Sequence, residues 1–124
     1  MTELQIELIS VGDEILLGHT LDTNFHWIAN QLANSGYRLR WHSTIGDNES
    51  DMRHQFRRAW NRADVVIITG GLGPTHDDKT RPVLAQFFED ELVTRLDLAK
   101  RIEDKFAARG LKVPFDSQKM AEFP

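Results

Sequence analysis

The chain has 124 residues, 40% of them hydrophobic and 27% charged, which is ordinary for one soluble globular domain. Its formal net charge of −4 argues against the broad basic surface that binds nucleic acids or anionic membranes. The absence of cysteine excludes disulfides, thiolate metal sites and a cysteine nucleophile. The sequence shows neither a signal peptide nor an apolar run near the roughly 20 residues that span a bilayer. We therefore expect a cytoplasmic protein with no nucleic-acid partner and no membrane partner.

The first half of the chain alternates strand-like and helix-like segments. Residues 5–11 form an apolar run that stops at Gly12, which predicts an opening strand. A helix is predicted from about Thr23 to a left-handed cap at Gly36. Its apolar stripe has helical spacing and comprises Phe25, Ile28, Ala29 and Leu32. Residues 38–45 predict a second strand, and one of its faces carries Leu39, Trp41, Ser43 and Ile45.

The second half predicts a helix, a strand and two further helices. The helix after Gly46 has an apolar stripe of Met52, Phe56, Ala59, Trp60 and Ala63. Residues 65–68 are apolar at every position, which predicts a central parallel strand covered on both faces. A helix over residues 80–89 has Pro82 in its first turn, and its core side comprises Val83, Leu84, Phe87 and Phe88. A last helix is predicted over residues 93–108, with Gly110 as its stop.

Alternation of strands and helices predicts an α/β fold of the doubly wound type, a mostly parallel sheet with helices on both faces. We expect a single domain over residues 1–124. Because the chain offers three clear strands and no clear final element, this domain is expected to be truncated at its C-terminus. In open α/β sheets ligands bind beyond the carboxyl ends of the strands. Polar residues at those ends are therefore the candidates for a site.

The strongest candidate is the segment GGLGPTHDDKT at residues 70–80, which follows the third strand. Its glycines, Gly70, Gly71 and Gly73, let backbone N–H groups approach an anion, and the following helix adds its positive end near Thr80. The spacing is neither that of a Walker A loop nor that of a dinucleotide fingerprint. Asp77 and Asp78 are typical ligands of a hard cation such as Mg²⁺. From composition alone, a purely structural interpretation is as good as this one: Asp77 or Asp78 caps the following helix, and the glycines form an ordinary turn.

Two more polar segments follow the first and second strands. Asp13 and Glu14 could receive a metal or a ligand hydroxyl, although isolated acidic pairs are more often solvated loop charges. Asn24 is either a ligand contact or a polar residue of the first helical turn. Asp47 either joins a carboxylate cluster with Asp78 or caps the next helix, and the cap is favoured when the residue is taken alone. The five histidines lack the spacing of a metal motif, and His76 is notable for its place inside the glycine loop.

Taken together, these segments resemble the N-terminal domain of the CinA (competence/damage-inducible protein A) proteins. The resemblance rests on GDEIL at residues 12–16 with Gly18, DTN at 22–24, GD at 46–47 and above all TGGLGPTHDDKT at 69–80. It runs in order over residues 7–89, and SQKMA at residues 117–121 looks like a further family segment. The wider superfamily includes the MoaB/Mog molybdopterin adenylyltransferases and a domain of the MoeA molybdenum-insertion proteins. The resemblance thus implies a molybdopterin-binding-like fold.

In the CinA branch, the resemblance implies metal-dependent hydrolysis of a nucleoside diphosphate sugar. ADP-ribose would give AMP and ribose 5-phosphate, as in an ADP-ribose pyrophosphatase. The alternatives are adenylyl transfer to molybdopterin and a non-catalytic module that binds a nucleotide or pterin. The expected cofactor is a divalent metal, Mg²⁺ or Co²⁺, and the expected partner is a small-molecule nucleotide or pterin phosphate.

The resemblance also implies roles for individual residues. Asp78 and Asp47 match aspartates of the family and are the expected catalytic residues. Together with Asp77 they are the expected metal ligands. The residues expected to hold phosphate or to line the ligand cleft are Gly70, Gly71, Gly73, Thr75, Thr80, Asp13, Glu14 and Asn24. Family domains continue into a further strand and a Gly/Pro-rich loop, so we expect an exposed sheet edge here and a homo-oligomer.

Overall fold

The computed structural model describes residues 3–89, 93–94, 104 and 122–123. Its first part contains the strands β1 (Ile6–Val11), β2 (Leu39–Ile45) and β3 (Val65–Thr69) and the helices α1 (Asp13–Leu16), α2 (Thr23–Asn34) and α3 (Glu49–Arg62). The helix α4 (Thr80–Phe87) follows, and then the short strands β4 (Val93–Thr94) and β5 (Glu122–Phe123). The chain divides into two compact units, Met1–Gly71 and Leu72–Pro124. Among the described helices, none combines the length and the apolar character needed to cross a bilayer.

The sheet of the first unit is parallel, with the strand order β2-β1-β3. β1 is the central strand, and all six of its residues are buried. The prediction that residues 65–68 form the central strand is wrong for this sheet. Within the described residues β3 pairs with β1 alone, and Val65 is 40% exposed. An apolar sequence favours burial of a strand but does not determine its position in the sheet. β1 can be the central strand although it contains Glu7 and Ser10, because both side chains have polar partners.

Helices cover both faces of the sheet. Successive side chains of a strand point to opposite faces, so Glu7 and Ser10 lie on different sides of β1. Glu7 bonds to Gln55 and Arg62 of α3. Ser10 contacts His42, which in turn lies against the start of α2. α2 and α3 therefore lie on opposite faces, as the doubly wound fold predicts.

A buried carboxylate in β1 links the sheet to α3. Glu7 is 0% exposed, and Arg62 donates to both of its oxygens, from Nε at 2.7 Å and from Nη2 at 2.9 Å. Gln55 donates to Oε2 of Glu7 at 3.0 Å and to the hydroxyl of Ser43 at 2.9 Å. The Arg62 guanidinium lies 4.3 Å from the centre of the Trp41 ring. The bond to Glu7 raises the pKa of Arg62, although desolvation acts in the opposite direction.

Helix α2 begins and ends where the sequence predicts. Oδ1 of Asp22 accepts from the amide of Phe25 at 3.0 Å, which satisfies one of the unpaired amides of the first turn. At the other end Gly36 has a φ of +86°, as predicted for a left-handed cap residue. The predicted stripe is confirmed as the less exposed side of the helix, although its four residues are half-buried rather than fully buried.

The buried side of α3 differs from the predicted stripe at Trp60 and Gln55, and the predicted Ala63 is the half-buried residue that follows the helix. Met52, Phe56 and Ala59 are buried, but Trp60 is 59% exposed, and Gln55 is buried in addition. The buried residues share one face, and residue 60 lies roughly a quarter turn from the centre of that face. Gln55 can be buried because its amide bonds to Glu7 and Ser43.

In the second unit, α4 matches its prediction more closely than the segment that follows. Pro82 lies in the first turn and Val83 is buried, but Phe88 lies beyond the last helical residue and is 51% exposed. The helix predicted over residues 93–108 is wrong at its start, because Val93 and Thr94 form β4 and pair antiparallel with β5. Of the remainder, Asp104 is helical and the other residues lie outside the described part, as do Gly110 and residues 117–121.

Candidate functional site

The three parallel strands end side by side, and the predicted site segments leave from these ends. Val11 of β1 is in register with Ile45 of β2, and Ser10 is in register with Thr69 of β3. The amide of Gly12 extends the ladder by donating to the carbonyl of Ile45 at 2.9 Å. The segments after β1, β2 and β3 therefore start at one edge of the sheet, where open α/β folds bind ligands.

Asp13 and Asp47 exchange hydrogen bonds at this carboxyl edge. The amide of Asp47 donates to Oδ1 of Asp13 at 2.9 Å, and the amide of Asp13 donates to Oδ2 of Asp47 at 3.4 Å. Gly46 is buried beside them, and a Cβ at this position would collide with the Asp13 carboxylate. Two of the predicted segments are thus held together, with their carboxylates adjacent.

The structure separates the two interpretations of Asp47. Asn48 caps α3, because its Oδ1 accepts from the amide of Asp51 at 3.0 Å. The helix cap that composition favoured for Asp47 is therefore wrong. A cluster of Asp47 with Asp78 would join the two units, and it stays a prediction.

Asp13 and Glu14 form the first turn of the short helix α1 rather than part of an irregular loop. Both are exposed, and Glu14 folds back over Gly12, where a Cβ would lie 2.6 Å from Oε1. Asn24 is exposed in the first turn of α2. A ligand can reach all three residues, as their predicted roles require, and those roles stay predictions.

Gly70 and Gly71 leave β3 in a conformation that favours glycine, with φ of +89° and +63°. At Gly70 a Cβ would also collide with the carbonyl oxygen of Val11 in the central strand. The sequence predicts glycines here because they let the backbone approach a bound anion closely. At Gly70 the group in close contact is instead the Val11 carbonyl of the protein's own central strand. Gly70 is thus fixed against the end of β1.

In the second unit, Asp78 closes the rest of the glycine loop into a turn. Its Oδ2 accepts from the amide and the hydroxyl of Thr75, at 3.1 and 2.5 Å, and its own amide donates to the Thr75 carbonyl at 3.1 Å. The carboxylate lies against Gly73, where a Cβ would be 2.7 Å from Oδ2. Because α4 has no side-chain cap bond, Asp78 shapes the loop instead of capping the helix.

Arg81 is a buried cation beside this loop that the sequence analysis missed. It is 8% exposed, and its Nη2 donates to the carbonyl of Gly73 at 3.3 Å. Its sequence signal is a positive charge in the first turn of a helix, where the helix dipole disfavours cations. Of the other predicted residues here, Thr80 is fully buried at the start of α4, and Asp77 is exposed.

The predicted metal ligands Asp47, Asp77 and Asp78 are carboxylates, which supply the oxygen ligands that a hard divalent cation prefers. In the part of the chain that the structure describes, no group of three or more His, Asp or Glu side chains is arranged to hold a metal ion. Oδ2 of Asp78 already accepts two bonds from Thr75. Since Mg²⁺ commonly combines one or two carboxylates with waters and substrate phosphates, the residues fit a metal that binds together with its ligand. Asp47, Asp77 and Asp78 remain its predicted ligands.

A second polar cluster, also missed by the sequence analysis, joins β1, β2 and the start of α2. Nε2 of His42 lies 3.0 Å from Oγ of Ser10 and 3.4 Å from Oδ2 of Asp22. Phe25 stacks on the imidazole, with ring centroids 4.0 Å apart and planes inclined by 1°. We call Ser10, Asp22, Phe25 and His42 the anchor cluster. Its sequence signals are polar residues inside two predicted strands and an aspartate directly before a predicted helix.

The anchor cluster contains serine, histidine and aspartate without the geometry of a nucleophilic triad. In a triad the serine and the aspartate contact different nitrogens of the imidazole. Here both contact Nε2, and Ser10 is 0% exposed. The cluster is therefore suited to holding α2 on the sheet rather than to attacking a substrate.

The chain is similar to known proteins in sequence and in fold. The family described as “Probable molybdopterin binding domain” matches residues 7–121. The “Putative competence-damage inducible protein” of Alkaliphilus oremlandii is 44% identical over 121 residues, 98% of this chain and 29% of the relative. The “CinA-like protein” of Dictyoglomus turgidum is 41% identical over 118 residues, 95% of this chain and 29% of the relative. The chain thus spans less than a third of the length of these curated relatives.

Solved structures agree with this assignment. The protein CinA of Thermoplasma acidophilum, described as having unknown function, is 34% identical with a TM-score of 0.81, and the match covers 98% of this chain and 71% of that one. The molybdopterin biosynthesis enzyme MoaB of Thermus thermophilus shares the fold, with a TM-score of 0.65 at 18% identity over 96% of this chain and 70% of that one. From the family match and the likeness to CinA, the chain belongs to the molybdopterin-binding domain family, in its CinA branch.

Proposed function

We propose that the chain binds the phosphate group of a pterin or nucleotide at the carboxyl edge of its sheet. The observation that carries the proposal is the junction of left-handed glycines with carboxylates at that edge. Gly70 and Gly71 start where β3 ends, and Asp13 and Asp47 are joined where β1 and β2 end. Backbone amides attract an anion, and carboxylates can hold the cation that accompanies a phosphate.

Each part of the site has a distinct task in this proposal. The amides of Gly70, Gly71 and Gly73 hold the phosphate. Asp78 and Arg81 keep the second half of the loop in shape through Thr75 and the Gly73 carbonyl. The side chains that contact ribose or pterin polar groups are Asp13, Glu14, Asn24 and Thr75, and the start of α4 at Thr80 adds its positive end.

Asp47 and Asp78, helped by Asp77, are the residues that would hold Mg²⁺ or Co²⁺. When bound, the metal supplies positive charge that offsets the charge of the phosphates. The carboxylates contribute the oxygen ligands that such a cation prefers.

A molybdopterin-related reaction is the first candidate. The family description names molybdopterin, and MoaB, whose fold the chain shares, is a molybdopterin biosynthesis enzyme. In adenylyl transfer an oxygen of the pterin phosphate forms a bond to the α-phosphorus of ATP, and pyrophosphate leaves. The glycine loop would place the pterin phosphate for this attack.

Hydrolysis of ADP-ribose is the second candidate. It is favoured by residues 72–78 (LGPTHDD), which resemble CinA more than MoaB/Mog, and by identities of 34–44% to proteins with CinA-type names against 18% to MoaB. In this reaction water attacks one phosphorus of the diphosphate, the P–O–P bridge breaks, and AMP and ribose 5-phosphate leave.

Two assays on the 124-residue chain separate these candidates. ADP-ribose with Mg²⁺ or Co²⁺ is followed by phosphorus NMR, and ATP with Mg²⁺ is followed by pyrophosphate release with and without molybdopterin. AMP and ribose 5-phosphate identify a hydrolase, whereas pyrophosphate released only with the pterin identifies a transferase. Calorimetric binding of AMP, ADP-ribose or the pterin without turnover identifies a binding module. If none of the three binds, the proposal is wrong.

The variant Asp78→Asn tests the predicted catalytic role of this residue. Asparagine keeps an oxygen that can accept from Thr75 but removes the negative charge. We expect an almost unchanged unfolding midpoint and turnover reduced by a factor of about 10²–10³. Asp51→Asn, which removes the same charge from the exposed start of α3, is the matched control and should keep wild-type turnover. Wild-type turnover in Asp78→Asn would show that this carboxylate has no catalytic role.

A further inference from the structure

The peptide group between Gly73 and Pro74 differs from the other peptide groups of the glycine loop at residues 70–80. Proline has no backbone N–H, so this group presents a carbonyl oxygen and no donor. The next amide, that of Thr75, already donates to Oδ2 of Asp78 at 3.1 Å. An anion held by the Gly73 amide would therefore be repelled by the Gly73 carbonyl if both groups faced the same side.

A buried cation holds this carbonyl. Nη2 of Arg81 donates to the Gly73 oxygen at 3.3 Å, and Arg81 is 8% exposed. Both residues belong to the second unit. A carbonyl that accepts from a buried group points toward the interior of its own unit, whereas a ligand arrives from solvent. The Gly73 oxygen is thus turned away from the side on which an anion can bind.

The location of Arg81 is unfavourable for a positive charge. Arg81 lies in the first turn of α4, where the helix dipole disfavours cations, and burial removes most of its contact with water. An apolar side chain would have neither cost, so packing alone does not require an arginine here. The guanidinium is always charged, and its bond to a carbonyl is stronger than a bond between neutral groups.

We propose that Arg81 is a positioning residue that makes the glycine loop selective for a dianionic phosphate. Arg81 fixes the orientation of the Gly73 carbonyl, and its charge offsets the partial negative charge of that oxygen. Because Coulomb energy is proportional to the charge of the ligand, a dianion gains more from this arrangement than a monoanion. The preferred ligand is then a terminal phosphate monoester rather than a phosphodiester. This selectivity rests on the proposed function, whereas the orientation of the carbonyl does not.

Two adenosine compounds test the selectivity by calorimetry on the 124-residue chain. At about pH 8 AMP is a dianion, and adenosine 5′-phosphorofluoridate has nearly the same shape but is a monoanion. In Arg81→Met we expect the Kd of AMP to rise by about tenfold and the Kd of the phosphorofluoridate by about threefold. Arg81→Lys keeps a charge and a donor, so it should keep the wild-type ratio of the two constants within about twofold.

Arg58→Met is the matched control, because it removes an arginine from the exposed side of α3. It should leave both constants within about twofold of the wild type. A purely structural role of Arg81 would raise both constants by the same factor, so equal factors in Arg81→Met, or no change in either constant, overturn the selectivity. If Arg81→Met does not fold, Arg81→Gln, which keeps a donor but no charge, serves in its place.

NMR measures the orientation of the carbonyl without any ligand. Loss of the bond from Arg81 should move the carbon-13 resonance of the Gly73 carbonyl upfield in Arg81→Met and leave it in place in Arg58→Met. An unchanged resonance in Arg81→Met overturns the inference, because Arg81 would not hold this peptide. A wild-type chain that binds neither adenosine compound contradicts the proposed function instead, and the resonance still decides whether Arg81 holds the Gly73 carbonyl.

Discussion

Gly70 and Gly36 have nearly the same backbone conformation, with φ of +89° and +86°, but different surroundings. A Cβ on Gly36 would meet no atom within 4 Å, whereas a Cβ on Gly70 would collide with the Val11 carbonyl. At the scale of single residues, comparing the two glycines distinguishes the cost of a left-handed backbone from the cost of a steric collision when a side chain is added. Gly70 is therefore required by its neighbour as well as by its φ.

We predict that Gly36→Ala lowers the free energy of unfolding by about 1–2 kcal/mol, the cost of a left-handed alanine. Gly70→Ala should cost about 2–4 kcal/mol, because displacement of the central strand adds to that term. Urea unfolding followed by tryptophan fluorescence measures both variants. Equal losses would mean that the loop moves away from Val11 without cost.

At the scale of elements, two ion pairs on α3 offer a comparison. Arg62 pairs with Glu7, whose side chain is 0% exposed, and Arg53 pairs with Glu49 at 3.5 Å with both side chains about half exposed. Removing one partner of a buried pair leaves the other charge without water or a counter-ion, whereas an exposed charge is solvated. The first pair should therefore control the attachment of α3 to the sheet.

Accordingly, Arg62→Met should lower the free energy of unfolding by about 3–5 kcal/mol. Arg53→Met, with the same change of side chain on the same helix, should alter it by less than about 0.5 kcal/mol. Urea titrations of the two variants at neutral pH provide the measurement. Similar losses would indicate that the Glu7 charge finds another partner when Arg62 is removed.

At the scale of the whole molecule, the free energy of unfolding at low pH depends on the protonation of Asp22. Burial acts to raise the pKa of Asp22, but the Ser10 hydroxyl, the Phe25 amide and the charge of His42 favour the carboxylate. Its pKa is below the ordinary value of 3.8 in the folded chain, so the folded state binds fewer protons at Asp22 than the unfolded state near that pH. The resulting stabilisation is complete above pH 3.8 and is lost as the pH falls through the lowered pKa. Asp22→Asn should therefore lose less stability than the wild type between about pH 5 and pH 2. Thermal unfolding across that range tests this, and parallel curves would contradict it.

The sequence predicts most of the elements in the described residues, because hydrophobic period and caps are local properties. Gly36 and the start of α2 are examples. Contacts between distant residues were not accessible from such patterns: Ser10 bonds to a residue 32 positions away, and Asp13 to one 34 positions away. For the same reason the central place of β1 was missed, since its polar residues are stabilised only by partners from other elements.

Two predictions concern the assembled chain and have yet to be tested. A single domain over residues 1–124 predicts one cooperative unfolding transition, whereas independent units would give two. A homo-oligomer predicts a mass above that of one chain in size-exclusion chromatography with light scattering.

Glu7 also has a consequence for misfolding. If β1 slipped by one residue against its neighbours, Glu7 would turn to the opposite face of the sheet, away from Arg62. The carboxylate, buried without its ion-pair partner, would destabilise that arrangement by about 3–5 kcal/mol. This is a large share of the roughly 5–15 kcal/mol that stabilises a typical domain. A strand of six apolar residues would lack this penalty. The acidic residue in the most buried strand thus disfavours sheets in which β1 is paired out of register.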